Sequence, residues 1–403
     1  MRHVIVGGGV AGVTAAQAIR AADPSAEIHL FSEEPVPYYR RPMLWGLIAG
    51  EIEQDAVFYR PAAWYAQQSI QLHLAARVVA LSLAEHRVAL ADGREHTYDR
   101  LLLATGARSY MPPCAGSEQQ GVFTLRTLDD ALAIKAYLAR CTTAAVVGGG
   151  LLGLETARAL HSAGLDVTVF EFFPYLLPRQ LDAEGAAVLQ ALLEAQGLHI
   201  VTGAETEAVL GSVCAVSLRL RDGRTFPGDL VLFSAGIRSE TALAREAGLP
   251  VERGIVVDRH LQAGAADVYA AGDSAEFEGR VYGIIPPAIE QARVAAANMV
   301  APASAVYTGT TPSTTLKIAG AELTALGEST AEGEPYAILR HTDLEAGHYR
   351  KLVLRDGRVV GAVLLNDRER VRPIAQLIER QVDVSAAAGR LLDDGFEIAS
   401  LLQ

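Results

Sequence analysis

Two stretches of the chain repeat one pattern of hydrophobic and polar residues. Each begins with a short apolar run that predicts a buried strand, at 3–6 and at 145–147. A glycine-rich turn follows, and then an alanine-rich stretch that predicts a helix, over 13–21 and 154–163. A second apolar strand comes next, over 28–31 and 167–170. Strands that alternate with helices in this way indicate parallel sheets covered by helices.

The turn between strand and helix has the spacing GxGxxG in both copies. The first glycine of this pattern permits a tight turn, the second lets the backbone approach a pyrophosphate, and the third lets the helix pack on the strand. An acid after the second strand, Glu33 or Glu171, accepts hydrogen bonds from an adenosine ribose. One such motif also occurs in ordinary tight turns, but two complete copies predict two bound dinucleotides. The glycines are Gly7, Gly9, Gly12, Gly148, Gly150 and Gly153.

A third glycine–acid motif indicates which dinucleotide binds where. The strand 267–271 ends in Gly272 and Asp273, whose amides and carboxylate are suited to the ribityl and pyrophosphate groups of a flavin. Together with the first glycine turn, this motif predicts FAD in the first site. The apolar strands at 101–106 and 231–236 end in small-residue turns and are expected to be crossings between domains. The NAD-binding domain is therefore predicted to be inserted into the FAD-binding domain.

The pattern changes after Pro302. Strands are expected at 315–319, 336–340, 349–354 and 359–365, with a hairpin turn at 355–358 and helices at 371–380 and 385–393. The predicted fold class is α/β, with two Rossmann-like dinucleotide-binding domains and a small α+β C-terminal domain. The expected divisions are 1–110 and 237–302 for the FAD-binding domain, 111–236 for the NAD-binding domain and 303–403 for the C-terminal domain.

Composition excludes several other classes of protein. The formal net charge of −12 argues against nucleic-acid binding, which needs clustered lysine and arginine. No apolar run approaches the roughly 18 residues that span a bilayer, and no basic–apolar leader precedes the first strand. The three cysteines are scattered, which suits a reducing compartment, and the ten histidines lack metal-ligand spacing. The sequence thus predicts a cytoplasmic protein with no membrane partner and no metal site.

Further motifs extend the pattern across the chain, at 31–35, 38–42, 125–131, 178–182, 272–277 and 315–320. With them the chain resembles the pyridine-nucleotide-dependent FAD oxidoreductases, and most closely the NADH:rubredoxin oxidoreductases and the flavin modules of assimilatory nitrite reductases. The resemblance spans essentially the full length. It implies an NADH-dependent FAD oxidoreductase, and its general family is better specified than its rubredoxin branch.

The resemblance implies roles for individual residues. Glu33 would bind the FAD ribose, although its neighbour Glu34 is an alternative, and Val78 would bind the adenine through its backbone. Arg126 would approach the adenine–pyrophosphate end of FAD or form a surface ion pair. The full predicted cofactor-binding set is Gly7, Gly9, Val10, Ala11, Gly12, Glu33, Arg41, Val78, Ala104, Thr105, Gly106, Arg126, Gly148, Gly150, Leu151, Gly153, Glu171, Gly236, Gly272 and Asp273.

Two acids of the second copy bear on NADH. Glu171 is followed by Phe172 and Phe173, with no adjacent cation for a 2′-phosphate, so it favours NADH over NADPH. A carboxylate about 4 Å from a phosphate costs roughly 1–4 kcal/mol per unit charge. Arg179 is the residue that could offset this by folding back. In relatives, the acid corresponding to Glu155 lies beside the nicotinamide, which makes it the catalytic candidate; the alternative is a favourable charge in the first helical turn.

Hydride transfer between cofactors needs no protein nucleophile. The disulfide reductases of this superfamily carry a CxxxxC pair near the flavin, but no cysteine precedes Cys114 here. Electrons are therefore expected to pass from FAD directly to an external acceptor, with rubredoxin the leading candidate. The alternatives are reduction of oxygen or a small molecule, and an NADH-sensing flavoprotein without turnover. Trp45 stands where some ferredoxin-type reductases have a lysine, and either stacks on the flavin or packs in the core.

Arginines indicate where a partner would dock. Arg368, Arg370 and Arg372 lie near the last strand–helix connection, and Arg40 and Arg41 lie in the flavin domain. A local basic patch would steer an acidic redox carrier. The alternative for the first three is a solvated helix start in which Glu369 is the internal partner. The C-terminal domain either docks a partner or dimerises, so monomer and homodimer both stay open.

Overall fold

The structure is a computed structural model that describes residues 1–311, 313–318 and 321–402, so Ala319 and Gly320 of the last sequence motif lie outside the described residues. The chain forms two compact units. The first contains 1–43, 53–108 and 237–310, and the second contains 44–52, 109–236 and the chain from Thr311 onwards. The four-part domain division stays a prediction, since this division groups the C-terminal part with 109–236.

A five-stranded parallel sheet in the order β19-β7-β1-β2-β3 forms the centre of the first unit. An antiparallel sheet, β4-β5-β6, is inserted between β3 and β7. The strands are β1 (Arg2–Val6), β2 (Glu27–Phe31), β3 (Ile70–His73), β4 (Val78–Ser82), β5 (Arg87–Leu90), β6 (Glu95–Thr97), β7 (Arg100–Leu103), β8 (Ala107–Ser109), β17 (Ile237–Ser239), β18 (Ile255–Val257), β19 (Val268–Ala270) and β20 (Ala275–Phe277). The helices are α1 (Val10–Ala22), α3 (Ala62–Gln67), α7 (Ala242–Glu246) and α8 (Ile285–Val300), with 3₁₀ turns at Arg41–Met43, Gln54–Val57 and Gly272–Ser274.

The second unit repeats this plan in its 109–236 part. Its parallel sheet, in the order β12-β11-β10-β16-β9, matches the sheet of the first unit read in the opposite direction. The antiparallel sheet β13-β14-β15 is inserted between β12 and β16, as β4-β5-β6 is between β3 and β7. The strands are β9 (Val122–Phe123), β10 (Thr143–Val147), β11 (Asp166–Glu171), β12 (His199–Thr202), β13 (Thr206–Leu210), β14 (Ser217–Leu220), β15 (Thr225–Pro227) and β16 (Leu230–Phe233). The helices are α2 (Leu44–Ile48), α4 (Leu128–Leu138), α5 (Leu151–Ser162) and α6 (Ala183–Glu194).

The remaining chain of the second unit folds as an antiparallel five-stranded sheet in the order β21-β22-β25-β24-β23. Its α+β character agrees with the predicted fold class. The helix α9 packs on this sheet through the buried Ile374 and Leu377. The elements are β21 (Ser313–Ile318), β22 (Ala321–Gly327), β23 (Tyr336–Asp343), β24 (His348–Arg355), β25 (Arg358–Leu365) and α9 (Arg368–Arg380), followed by 3₁₀ turns at Ser385–Arg390 and Ile398–Leu402.

The predicted fold class is confirmed, with the NAD-type fold inserted between two parts of the first unit. The inserted part is entered after β7 and left after β16, and β8 pairs with β17 in a two-stranded sheet near these crossings. Both crossings follow the apolar strands that the sequence indicated. No helix in the described ranges combines the length and the hydrophobicity that crossing a membrane requires.

Three details of the C-terminal region differ from the prediction. The strand β22 was missed because its residues, rich in alanine and ending in glycine, have low strand propensity; it forms because β21 and β25 pair with it on both sides. The helix α9 begins at Arg368, three residues early, since its first turn is polar and lies outside the apolar periodicity. The predicted helix at 385–393 is a 3₁₀ helix that ends at Arg390.

A buried charge joins the C-terminal sheet to α6. The Lys351 side chain on β24 is 1% exposed, and its Nζ lies 3.2 Å from Oδ2 of Asp182. The Tyr349 hydroxyl donates to Asp182 at 2.8 Å, and Arg340 Nε donates at 3.1 Å. Asp182 also caps α6 by accepting the Gly185 N–H at 3.0 Å. Burial alone would raise the pKa of Asp182, but the bonds from Gly185, Tyr349 and Arg340 and the charge of Lys351 lower it to about 2.

Substituting Asp182→Asn should lower the free energy of unfolding by up to about 3–5 kcal/mol, because the buried Lys351 then keeps only the exposed Glu332, at 3.5 Å, as a charged partner. Asparagine is as good a helix cap as aspartate, so the loss reports the charge. Urea titration followed by circular dichroism measures it. Because folding lowers the pKa of Asp182, the stabilising effect should be full above pH 4 and disappear as the pH falls towards 2.

Two variants check this interpretation. The double variant Asp182→Asn/Lys351→Met should recover most of the loss, since it removes both buried charges. Asp166→Asn breaks an exposed pair with His199, whose atoms lie 3.0 Å apart, and should cost less than about 1 kcal/mol. A single variant at position 182 that unfolds at the wild-type urea concentration would contradict the stabilising role of the buried pair.

Candidate nucleotide-binding sites

The outer glycines of the first motif are required by close packing. A Cβ on Gly7 would lie 2.0 Å from the carbonyl oxygen of Ala104, and a Cβ on Gly12 would lie 1.9 Å from that of Gly7. Gly7 also has φ of +119°, which disfavours other residues. The turn, the start of α1 and the end of β7 therefore meet without room for side chains. This contact brings Ala104 and the adjacent Thr105 and Gly106, all predicted cofactor residues, to the first glycine turn.

The middle glycines have a different environment. No heavy atom lies within 4 Å of the position that a Cβ would take on Gly9 or on Gly150. Each is the N-cap of its helix, and neither cap carries a side-chain hydrogen bond. The first N–H groups of α1 and α5, at Val10, Ala11 and Leu151, thus begin two helices that face open space. A helix N-terminus in this setting stabilises a pyrophosphate, so both sites fit the dinucleotides that the sequence predicted.

A small cleft in the first unit carries a half-buried cation, Arg41. Tyr39 donates its hydroxyl to Oε2 of Glu34 at 2.5 Å, and Nη2 of Arg41 lies 3.3 Å from Oε1 of the same carboxylate. The buried Nε of Arg41 has no hydrogen-bond partner, which suits it to an anionic ligand. Arg41 belongs to the predicted cofactor-binding set, whereas Tyr39 was not predicted to contribute to the site. The cleft is lined by Gly8, Gly9, Ser32, Glu34, Val36, Pro37, Tyr38, Tyr39 and Arg41.

The strand register corrects the expectation that the two acids are equivalent. Phe31 pairs with Val6, and Phe170 pairs with Val147, so Ser32 corresponds to Glu171. A Cβ on Gly8 would lie 2.7 Å from Cβ of Ser32, as one on Gly149 would lie 3.0 Å from Cβ of Glu171. The side chain of Glu33 is 71% exposed, and its nearest described cation is Nε of Arg77 at 3.9 Å. The role of Glu33 at the ribose stays a prediction, and Ser32 and Glu34 are the acceptors nearest the cleft.

The third glycine motif lies against the first. Gly272 has φ of +82°, and a Cβ on it would lie 3.0 Å from Cβ of Ala11 in the first turn of α1. Its N–H donates to Oε1 of the buried Gln291 at 2.8 Å. The carbonyl of Asp273 accepts the Ser239 hydroxyl at 2.7 Å. The motif therefore belongs to the first nucleotide fold, as expected for a residue pair that binds FAD.

Glu171 ends β11 inside the second site. Its Oε2 accepts the Gly149 N–H at 2.7 Å, its Oε1 accepts the Phe173 N–H at 2.8 Å, and the residue is 6% exposed. Both carboxylate oxygens are thereby fixed at the glycine turn, with further lone pairs left for ribose hydroxyls. Phe172 and Phe173 next to it are exposed. This geometry is compatible with the predicted hydrogen bonds to an adenosine ribose, and the selection of NADH by Glu171 stays a prediction.

Glu155 and Trp45 both relate to α5. Glu155 is half-buried at the start of the second turn of this helix, so the expected position in the first turn is wrong. Trp45 belongs to the same unit, and its indole Nε1 donates to Oγ1 of Thr156 at 3.1 Å. Of the two expectations for Trp45, packing within the protein is the one that this contact supports. Thr156 itself was missed, because nothing in its sequence context distinguishes it from an ordinary buried helix residue.

Three other predicted residues lie outside the glycine turns themselves. Val78 is buried at the start of β4, where it pairs with Leu90. Arg126 lies in the second unit just before α4, whereas the first glycine turn lies in the first unit. Gly236, with φ of +99°, is the last residue before the chain returns to the first unit. Their cofactor roles stay predictions.

Part of the motif around Arg126 has a structural purpose. Thr127 caps α4 by accepting the Asp130 N–H at 3.1 Å, and Oδ2 of Asp130 accepts the Thr127 N–H at 2.8 Å. The same Oδ2 accepts the Arg126 N–H at 2.9 Å. Helix capping alone therefore accounts for Thr127 and Asp130 in this motif, and no cofactor contact is needed to explain them.

All three cysteines are free thiols. Burial raises the pKa of Cys114, and burial together with Asp229 raises that of Cys141 to about 11, so both stay protonated at neutral pH. Cys214 is exposed. None of these three cysteines forms a disulfide. Among the described residues, no group of three or more histidine, cysteine or acidic side chains is arranged to hold a metal ion.

The predicted basic patch is reduced by internal contacts. Arg370 Nε lies 3.2 Å from Asp367, and its Nη1 donates to the carbonyl of Leu391 at 2.7 Å. Arg41 is engaged with Glu34. Asp367, and not the expected Glu369, is thus the internal partner of Arg370. Arg368, Arg372 and Arg40 are exposed.

Comparison with known proteins identifies the family to which the chain belongs. The family model described as "Pyridine nucleotide-disulphide oxidoreductase" matches residues 1–298, and that described as "Rubredoxin NAD+ reductase C-terminal domain" matches 312–382. A nitrite reductase [NAD(P)H] of Bacillus subtilis is 36% identical over 95% of this chain and 48% of its own length. The chain spans only about half of the nitrite reductases that it matches.

Other relatives match over most of their length. The ferredoxin–NAD(+) reductase component of the Paraburkholderia xenovorans biphenyl dioxygenase system is 32% identical, covering 99% of this chain and 98% of that protein. The crystal structure of a covalent putidaredoxin reductase–putidaredoxin complex matches with a TM-score of 0.89 and 29% identity, over 100% of this chain and 98% of the other.

Two glycine cradles open to a dinucleotide, a third motif that completes the first of them and a family match over 298 residues lead to one conclusion. The chain belongs to the pyridine nucleotide-disulphide oxidoreductase family, as a member that pairs FAD with a nicotinamide cofactor and has no disulfide among its cysteines.

Proposed function

We propose that this protein oxidises NADH at its second nucleotide site, reduces FAD at its first and passes the electrons to a small redox protein, of which rubredoxin is the leading candidate. When bound, FAD accepts two electrons together as a hydride and can release them singly. The observation that carries the proposal is the pair of open glycine cradles in a chain whose cysteines are all free.

The chemistry of the cysteines supports direct transfer from the flavin. A thiol that relays electrons must ionise readily, and burial raises the pKa of both Cys114 and Cys141. The protein's own tasks are then to bind the two cofactors, to orient them and to exclude water. The first-turn amides of α1 and α5 and the cation of Arg41 bind phosphate groups, and Glu171 selects the nicotinamide cofactor. Glu155 is the acid that we propose to lie beside the nicotinamide.

A small redox protein as acceptor has support from the relatives. The matched C-terminal model carries the name of rubredoxin reductases, and a rubredoxin–NAD(+) reductase of Pseudomonas putida is 34% identical over 74% of this chain. The putidaredoxin reductase structure was solved with its redox partner attached. The second candidate acceptor is a separate protein that corresponds to the rest of the nitrite reductase relatives, since this chain matches only 48% of the Bacillus subtilis protein.

One exposed cluster of the first unit suits an acidic carrier. The guanidinium groups of Arg40 and Arg60 lie 5.6 Å and 4.8 Å from the ring centre of Tyr59, and Arg60 also lies 5.8 Å from that of Trp64. Within the described ranges neither arginine has a carboxylate within ion-pair distance. Arginine, tyrosine and tryptophan are the residues enriched at interfaces. We call these four residues the Arg40–Arg60 surface and propose that it steers the acceptor.

The function is tested by anaerobic stopped-flow absorbance. Mixing the oxidised FAD-loaded protein with NADH should bleach the flavin band within a second or less, and NADPH should act much more slowly. Mixing the reduced protein with oxidised rubredoxin should then restore the band rapidly. Bleaching without reoxidation by rubredoxin would exclude rubredoxin as the acceptor. A protein that corresponds to the rest of the nitrite reductase relatives would then be tested. Failure of NADH to bleach bound FAD would contradict the proposed function.

Glu171→Gln should weaken the preference for NADH over NADPH by about tenfold or more, because the carboxylate that repels the 2′-phosphate is lost. The ratio of kcat/KM for the two cofactors measures the effect. Glu205→Gln, which neutralises an exposed acid of the same unit, is the control and should leave the ratio unchanged. An unaltered ratio in Glu171→Gln would indicate that this acid does not face the adenosine ribose.

Reversing the charges of the Arg40–Arg60 surface should slow electron delivery but not NADH oxidation. The variant Arg40→Glu/Arg60→Glu is expected to lower the second-order rate of rubredoxin reduction about tenfold or more at low salt, with a smaller difference at high salt. The rate of flavin bleaching by NADH should stay within twofold. Arg140→Glu is the matched control, because Arg140 is also exposed and lies 5.5 Å from a tyrosine ring centre. Equal rates for the two variants would exclude a steering role for this surface.

A further inference from the structure

A chain of two hydrogen bonds runs from Trp45 to the first turn of α5. The indole Nε1–H donates to Oγ1 of Thr156 at 3.1 Å, and the Thr156 hydroxyl donates to the carbonyl of Leu152 at 2.6 Å. A threonine that bonds to the carbonyl four residues earlier is ordinary in a helix. Here the same hydroxyl also accepts a hydrogen bond from the indole N–H, so it acts as both donor and acceptor. Thr156 is 1% exposed, which removes water as a substitute for either partner.

The position of Trp45 along the chain gives this contact its significance. Arg41, the cation of the first nucleotide cleft, is followed after two residues by the segment 44–52, which belongs to the second unit. Trp45 attaches the start of this segment to α5. At its other end, Nη1 of Arg158 on α5 lies 2.7 Å from Oε1 of Glu51. Within the second unit, the segment that follows Arg41 in the chain is therefore attached to α5 at two points.

The two attachments differ in strength and location. The Trp45–Thr156 bond is largely shielded from solvent and acts on the first turn of α5, where Leu152 precedes Glu155 by three residues. The Glu51–Arg158 pair lies further along the helix, and Glu51 is exposed, so solvent screens it. Of the two attachments, only the Trp45–Thr156 bond acts near the start of α5. It is therefore the one that can fix the phosphate-binding turn and Glu155.

We propose that Trp45 is a positioning residue for hydride transfer: through Thr156 it holds the first turn of α5, with Glu155, in a fixed place relative to the segment that follows Arg41. This inference rests on the proposed function, in which NADH binds at α5. Hydride transfer is steeply sensitive to the placement of the reacting groups, and a misplacement of about 1 Å can cost on the order of a hundredfold in rate. Binding of NADH uses the same turn, but attraction of a phosphate to a helix N-terminus changes less with a small shift than hydride transfer does, so the affinity should change much less than the rate.

The test compares Trp45→Phe, which keeps an aromatic ring but removes the indole donor, with Thr156→Val, which keeps the volume but removes the hydroxyl. Each should slow flavin bleaching at saturating NADH about tenfold, while the dissociation constant for NAD⁺, measured by calorimetry, stays within twofold. The double variant should be no slower than either single variant, because both remove one interaction. Thr156→Ser, which restores the hydroxyl, should recover most of the wild-type rate.

Glu51→Gln is the matched control, since it breaks the other attachment of the same segment, and it should leave the bleaching rate within twofold of wild type. Three outcomes would each overturn the proposal. They are wild-type bleaching rates in Trp45→Phe and Thr156→Val, additive losses in the double variant, and an equal loss in Glu51→Gln. Amide hydrogen exchange in residues 151–156 gives a second measurement that needs no turnover. Faster exchange is expected in both variants and not in Glu51→Gln, and unchanged exchange would overturn the proposal even in a protein that NADH fails to bleach.

Discussion

The close approach of a glycine turn to the end of a neighbouring strand is the constraint on which both nucleotide sites depend. Gly7 meets the carbonyl of Ala104, and Gly148 meets that of Ser234, at distances that leave no room for a Cβ. This contact aligns the first strand, the helix that follows and the crossing strand in each copy. The middle glycine is thereby left facing open space at a helix N-terminus. One steric requirement thus produces the fold and the phosphate site together.

The sequence predicted those features that repeat or that depend on local chemistry. Both glycine turns, the inserted NAD-type fold and the α+β end domain follow from patterns of a few residues, and the structure agrees with them. The strand β22 escaped prediction because its residues favour no strand by themselves, and only its two neighbours stabilise it. The same limit applies to Thr156, whose importance comes from a tryptophan more than one hundred positions away in the sequence.

Ser32 and Glu171 occupy corresponding positions in the two folds, although only one of them is an acid. The acid nearest the end of each second strand looked equivalent, but the registers of β2 and β11 place the acids one position apart. Aligning Phe31 with Phe170 in the sequence would have revealed the offset, since both are the last apolar residues of their strands. The two folds have the same glycine turn and different residues, Ser32 and Glu171, at the corresponding position after the second strand.

The pair formed by Asp182 and Lys351 has a consequence for how such proteins diverge. Asp182 belongs to the NAD-type fold, whereas the cations that pair with it, Lys351 and Arg340, belong to the end domain. Exchange of the end domain between related genes would separate them and leave Lys351 with Glu332 as its remaining acidic partner. Lineages should therefore retain or lose the two residues jointly, which makes the pair an inherited marker of which end domain a nucleotide-binding fold has evolved with.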